Sequence, residues 1–141
     1  MDLPKRRFMD VNGVRISYRQ GGHGDDLVFL HGLAGNSRTW EFQFKAFADR
    51  YRVTAWDAPG YGESDLIPPD INAYADILND FTTCIGIERF ILLGHSMGGI
   101  IAGNLAGRHQ ERVIGLILSC TFLGRDQVKG AALGENYMAR L

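Results

Sequence analysis

One stretch, Phe90 to Arg108, limits the fold more than any other. Phe90-Ile91-Leu92-Leu93 is a short apolar run of the kind a buried strand provides. Gly94-His95-Ser96-Met97-Gly98-Gly99 breaks it, and Met97 to about Arg108 then reads as a helix. Strand, Gly-x-Ser-x-Gly and helix in that order define a sharp turn that presents a serine hydroxyl at the carboxyl end of a sheet. Such a turn forces Ser96 into a strained backbone conformation, so Gly94 and Gly98 must lack side chains that would clash. The Met97 N–H starts the helix, has no partner within it, and points toward the same space. Ser96 is therefore the candidate nucleophile, and Met97 offers one backbone donor for an oxyanion. The plain alternative is a Gly/Ser-rich connection between a strand and a helix.

The remaining segments are compatible with that centre. Phe8 to Val11 and Val14 to Tyr18 flank Asn12-Gly13, a strong hairpin signal. Leu27 to Leu30 reads as a strand buried on both faces, and His31-Gly32-Leu33-Ala34-Gly35-Asn36 ends it. Trp40, Phe44 and Phe47 recur at i, i+4, i+7, placing one apolar stripe on a helix that Asn36 or Ser37 caps. Arg52 to Trp56 is the next strand, followed by the turn region Asp57 to Ser64. Tyr74, Ile77, Leu78, Phe81 and Ile85 suit a helix face, and Val113 to Ser119 reads as another buried strand. After the elbow, Gly99, Ala102, Gly103 and Ala106 let the helix approach the sheet. Strands alternating with helices imply an α/β fold with a mostly parallel sheet, flanking helices and an N-terminal antiparallel hairpin.

Composition closes off other classes. With 45% hydrophobic and 22% charged residues, the 141-residue chain can bury a core. A formal net charge of −1 points to neither nucleic acid nor anionic membrane as a partner. Lys5-Arg6-Arg7 reads as a solvated face; no apolar stretch follows it as in a signal peptide, and none is long enough to span a membrane. Cys84 and Cys120 make neither a metal spacing nor a disulfide framework, so a cytoplasmic setting is expected. No cofactor and no metal are expected. Gly22-x-Gly24 precedes a strand instead of opening a helix, so it is no dinucleotide fingerprint.

Acyl transfer needs a nucleophile, a base, a group that orients the base, and donors for the oxyanion. His31-Gly32-Leu33 ends a strand that should lie beside the one carrying Ser96. A bend at Gly32 can aim the Leu33 N–H at the Ser96 hydroxyl, giving a second donor. His31, Gly32, His95 and Gly98 are expected to support the site and line its pocket, and Tyr61 is a further lining candidate. Asp57 ends a strand; holding its loop through backbone N–H groups is its expected role.

Three motifs, His31-Gly32, Asp57-x-Pro59-Gly60-x-Gly62-x-Ser64 and Gly94-His95-Ser96-Met97-Gly98-Gly99, resemble the α/β-hydrolase family in order and in context. The resemblance covers nearly all of the chain to about Cys120. It implies residues 1–123 as the N-terminal part of the core domain and 124–141 as the start of a lid, cap or connecting region. The style of the Trp56 to Gly62 turn resembles the enol-lactonase, carboxylesterase and carbon–carbon hydrolase branches. Ser96 argues against the dehalogenase branch, which carries Asp there.

The family order is Ser, then acid, then His, and here the chain departs from it. His23, His31, His95 and His109 are its only histidines. Only His109 lies downstream of Ser96, at the far end of the helix, roughly 18 Å away. Ser119-Cys120-Thr121 offers no carboxylate where some members carry the acid. The expectation is a serine hydrolase for a small ester, lactone or related carbonyl substrate, a partial fold without its last strands, base or acid. A non-catalytic binding module and one half of a two-chain assembly are the alternatives. With later strands absent, Val113 to Leu118 should form an open sheet edge prone to self-association.

Overall fold

The computed structural model describes residues 2–121. The chain begins with strands β1 (Arg6–Val11) and β2 (Val14–Gly21), an antiparallel pair in register from Arg6↔Arg19 to Val11↔Val14. Asn12 and Gly13 both take positive φ, 54° and 83°, as a two-residue hairpin turn that follows the strand twist requires. Strands β3 (Asp25–Leu30), β4 (Tyr51–Trp56), β5 (Phe90–His95) and β6 (Val113–Ser119) follow. Helices α1 (Glu41–Phe47), α2 (Ile71–Cys84) and α3 (Met97–Arg108) connect them. One six-stranded sheet results, in the order β1-β2-β4-β3-β5-β6. β3 pairs in parallel with both β4 and β5, β5 in parallel with β6, and the hairpin joins through an antiparallel β2–β4 ladder.

Side-chain alternation along β3 divides the interior in two. Val28 and Leu30 face a core shared with Ile16, Trp56, Leu78, Phe81, Ile101 and Leu105, under α2 and α3. Leu27 and Phe29 face the other way, into a second core with Trp40, Phe44, Val53 and Ala55, under α1. With apolar layers on both faces, β3 holds the middle of the sheet, and its C-terminal end lies beside the elbow. The Asp70 carboxylate caps α2 by accepting from the Ala73 N–H at 2.8 Å.

Two expectations change. Trp40, Phe44 and Phe47 do not share one helix: Ser37–Trp40 is a 3-10 turn, and α1 begins at Glu41. Asn36 accepts from the Arg38 N–H at 2.9 Å while Thr39 Oγ1 accepts from the Asn36 N–H at 3.3 Å, which tightens that first turn. The apolar stripe survives, with Trp40 stacked on Phe29 at 4.8 Å between ring centroids. Val113–Ser119 is a strand, not buried as its apolar run alone reads, but at the open sheet edge expected with later strands absent. Ile114 is 50% exposed, Leu116 39%, Ile117 47% and Leu118 40%, because β6 is an edge strand among the described residues. The opposite edge, β1, carries Arg6, Arg7 and Asp10. No helix among the described residues is long and apolar enough to cross a membrane. The segment 124–141, expected to begin a lid, cap or connection, lies outside the described residues.

Candidate functional site

β5 delivers Ser96 to a turn in which it adopts φ 53°, ψ −118°, a region L-residues occupy only when their surroundings force it. The surroundings are backbone. A Cβ on Gly94 would lie 2.3 Å from the Gly98 carbonyl oxygen, and one on Gly98 would lie 2.4 Å from that of Leu30. The Gly98 requirement therefore comes from the end of β3, across which the elbow is pressed. From the other side, the Ser96 N–H donates to the Ser119 carbonyl at 2.9 Å, and Thr121 occupies the space a side chain on Gly99 would need. Ser119 and Thr121 thus hold the elbow through backbone and packing, a role their sequence carries no signal for. Along α3, Gly99 and Ala102 are buried as expected, while Gly103 and Ala106 are only half-buried.

The loop after β3 comes up against the elbow. A Cβ on Gly32 would sit 3.0 Å from Ser96 Cβ, so glycine there lets the loop touch the serine. The Gly32 carbonyl accepts from His31 Nδ1 at 2.8 Å and from the Gly35 N–H at 3.0 Å. This carbonyl and the Leu33 N–H belong to one planar peptide, so fixing the first aims the second. His31 is fully buried, and its Nε2 accepts from the Ala58 N–H at 3.0 Å. Nδ1 must then carry the proton, which makes the ring a neutral donor to Gly32. Burial pushes the His31 pKa below its ordinary value, against the smaller opposing pulls of the Gly32 carbonyl and Asp57. Neither the Leu33 nor the Met97 N–H donates to another described residue. The Met97 side chain is buried; that of Leu33 is 40% exposed.

The other candidates fall into place around this pair. The His95 ring packs by Gly32, its Cδ2 3.1 Å from where a Cβ would stand, and its Nδ1 lies 3.5 Å from Ser119 Oγ. Tyr61 bridges the two loops: its ring meets His31 edge-on at 5.0 Å and its hydroxyl reaches Met97 Sδ at 3.6 Å. Trp40 packs in the core under α1. Asp57 is fully buried, but the backbone N–H its carboxylate binds is not one of its own loop. Its Oδ1 accepts from the Ser37 N–H at 2.6 Å and its Oδ2 from the Ser17 hydroxyl, tying β4 to the 3-10 turn and to β2. Its own loop is held through Ser64 Oγ, which donates to the Asp57 carbonyl at 2.6 Å. Both His31 nitrogens are engaged, His23 is exposed in a loop, and His109 caps the far end of α3 beside Glu111. No histidine among the described residues hydrogen-bonds Ser96 Oγ. Cys84 and Cys120 are free and exposed.

Comparison with known proteins bears on this arrangement as a whole. The family model described as the alpha/beta hydrolase fold matches residues 26–140. The dihydrolipoyllysine-residue acetyltransferase component of the acetoin cleaving system of Cupriavidus necator is 37% identical over 115 residues, covering 79% of this chain and 31% of that protein. The pimeloyl-[acyl-carrier protein] methyl ester esterase of Aeromonas hydrophila is 38% identical over 122 residues, covering 84% and 48%. Among solved structures, Cfl2 from Burkholderia cenocepacia superposes with a TM-score of 0.84 at 30% identity, covering 92% of this chain and 46% of that one. The chain thus spans between about a third and a half of the length of these relatives. The matched span takes in β3, the loop after it, the elbow and β6, and on that match the chain belongs to the alpha/beta hydrolase fold family.

Proposed function

We propose that the chain carries the nucleophile half of a metal-independent serine hydrolase acting on an ester, lactone or related carbonyl substrate. Ser96 Oγ attacks the carbonyl carbon, and the Leu33 and Met97 N–H groups take the charge that develops on its oxygen. An acyl-enzyme forms as the alcohol leaves, and water then releases the acid. The base that accepts the Ser96 proton, with the acid that orients it, comes from outside these 141 residues. The carrying observation is the Ser96 backbone, φ 53° and ψ −118°, held between β5 and α3 by contacts with β3 and β6. Strain of this kind costs on the order of 1–3 kcal/mol, and a plain strand-to-helix connection has no use for it. The esterase relative supports a carbonyl substrate.

The test is hydrolysis of a p-nitrophenyl ester by the full product of the reading frame that contains residues 1–141. The expected result is a burst of p-nitrophenol equal to one acyl group per chain, lost in Ser96→Ala. Leu33→Ala, which keeps the N–H, should change kcat little. Leu33→Pro removes the donor and should lower kcat by about 10²–10³-fold. A burst that survives Ser96→Ala would overturn the proposal.

A further inference from the structure

We infer that Tyr61 is a specificity-determining residue whose hydroxyl donates to an oxygen carried on the acyl arm of the substrate, so that the site takes alkoxy-, hydroxy- or keto-substituted acyl groups in preference to plain hydrocarbon ones. The inference rests on the serine hydrolase reading and goes beyond it to the class of acyl group.

Tyr61 lies in the turn region after β4 and spans the two loops that flank Ser96. One side of its ring meets His31, the clasp of the Leu33 loop, at 5.0 Å, and its hydroxyl reaches the Met97 sulfur at 3.6 Å. The ring is half-buried and packs against the core under α2 and α3. A phenol in this setting would ordinarily find an oxygen or nitrogen acceptor. Among the described residues its partner is a thioether, a weak acceptor. The donor is therefore held in place at little energetic gain, and a ligand oxygen arriving beside the elbow offers a better bond than the one it replaces. Among the described residues, apolar groups stand on these same loops: the thioether of Met97, the exposed side chain of Leu33, and Leu66, which is 82% exposed and lies against Gly60. An apolar wall with one hydroxyl discriminates by the position of a single oxygen.

The test compares two unreactive ketones of the same shape, methoxyacetone and methyl propyl ketone, which differ by an oxygen in place of a methylene. Saturation-transfer difference NMR with competition reads their binding to the 141-residue chain whatever its state of association, and needs no turnover. Methoxyacetone should bind at least about threefold tighter, the yield of one neutral hydrogen bond exchanged for a weak one. Tyr61→Phe should abolish the preference with an unchanged melting temperature. Met97→Leu, which takes away the sulfur and leaves the phenol, should keep or increase it. Equal binding of the two ketones, no binding of either, or a preference that persists in Tyr61→Phe would overturn the inference. Ser96→Ala should leave the preference intact, so a wild-type protein that shows this preference but no Ser96-dependent burst would fault the nucleophile and not Tyr61.

Discussion

Ser96 pays for its exposure in backbone strain, and a substitution can separate that strain from its chemistry. Glycine accepts φ 53°, ψ −118° without a Cβ penalty, whereas alanine keeps the Cβ. Ser96→Gly should therefore raise stability by about 1–2 kcal/mol and Ser96→Ala should not, as read by urea denaturation of each variant. The second residue of consequence is His31. Its pKa is lowered by burial, so the folded chain binds the proton less readily than the unfolded chain. The stability that follows is fully present above the ordinary histidine value of about 6.5 and is lost as pH falls through and below it, by at most about 1.4 kcal/mol per pH unit. Denaturation midpoints measured from pH 8 to 5 should fall on this side, and His31→Gln should flatten that part of the profile. Asp57 is the third. Asp57→Ala strands the Ser37 N–H, takes the carboxylate acceptor from the Ser17 hydroxyl, and removes a carboxylate 3.9 Å from Arg6 Nε. It should cost about 2–4 kcal/mol in the same assay. The serine was legible in the sequence because glycines at fixed offsets leave few readings. The reach of Asp57 to Ser37 and Ser17 was not, because both partners lie 20 or more positions away and no local pattern encodes the pairing.

At the scale of elements, β3 and β6 explain most about what the sequence can and cannot convey. A four-residue apolar run such as Leu27 to Leu30 reads as buried on both faces, and β3 is, between two cores. Val113 to Leu118 has the same apolar character and by its run alone reads the same way; only the strand order that the family resemblance implied marked it as an open edge, and its side chains are exposed because no strand or helix among the described residues covers its outer side. Periodicity reports what a strand is suited to touch; what it touches depends on elements elsewhere in the fold. The contrast with β1, charged at the other edge, implies that β6 is made to be covered. The 141-residue chain alone should therefore associate in a concentration-dependent way, visible by sedimentation velocity. Ile117→Lys should reduce that association by placing a charge on the exposed edge. A monomer at all concentrations would show that β6 is already covered. The 3-10 turn at Ser37–Trp40 escaped the helix pattern for a simpler reason: Trp40 keeps its place in the stripe whether the first turn is wound by three or by four residues.

In the whole molecule the sheet works as a frame that brings two loop ends together. Leu33 follows β3, Ser96 follows β5, and those strands are neighbours in parallel register through Leu30↔Gly94. That adjacency is what lets Gly32 touch Ser96 and lets His31 set the peptide that carries the Leu33 N–H. On the proposed function this frame presents Ser96 as a nucleophile, and a fluorophosphonate probe reads that role at the residue itself. In the full product of the reading frame containing residues 1–141, the probe should attach to a single site, the peptide carrying Ser96, with labelling lost in Ser96→Ala and strongly slowed in Leu33→Pro. Labelling that persists in a folded Ser96→Ala variant, or a folded wild-type protein left unlabelled at Ser96, would contradict it.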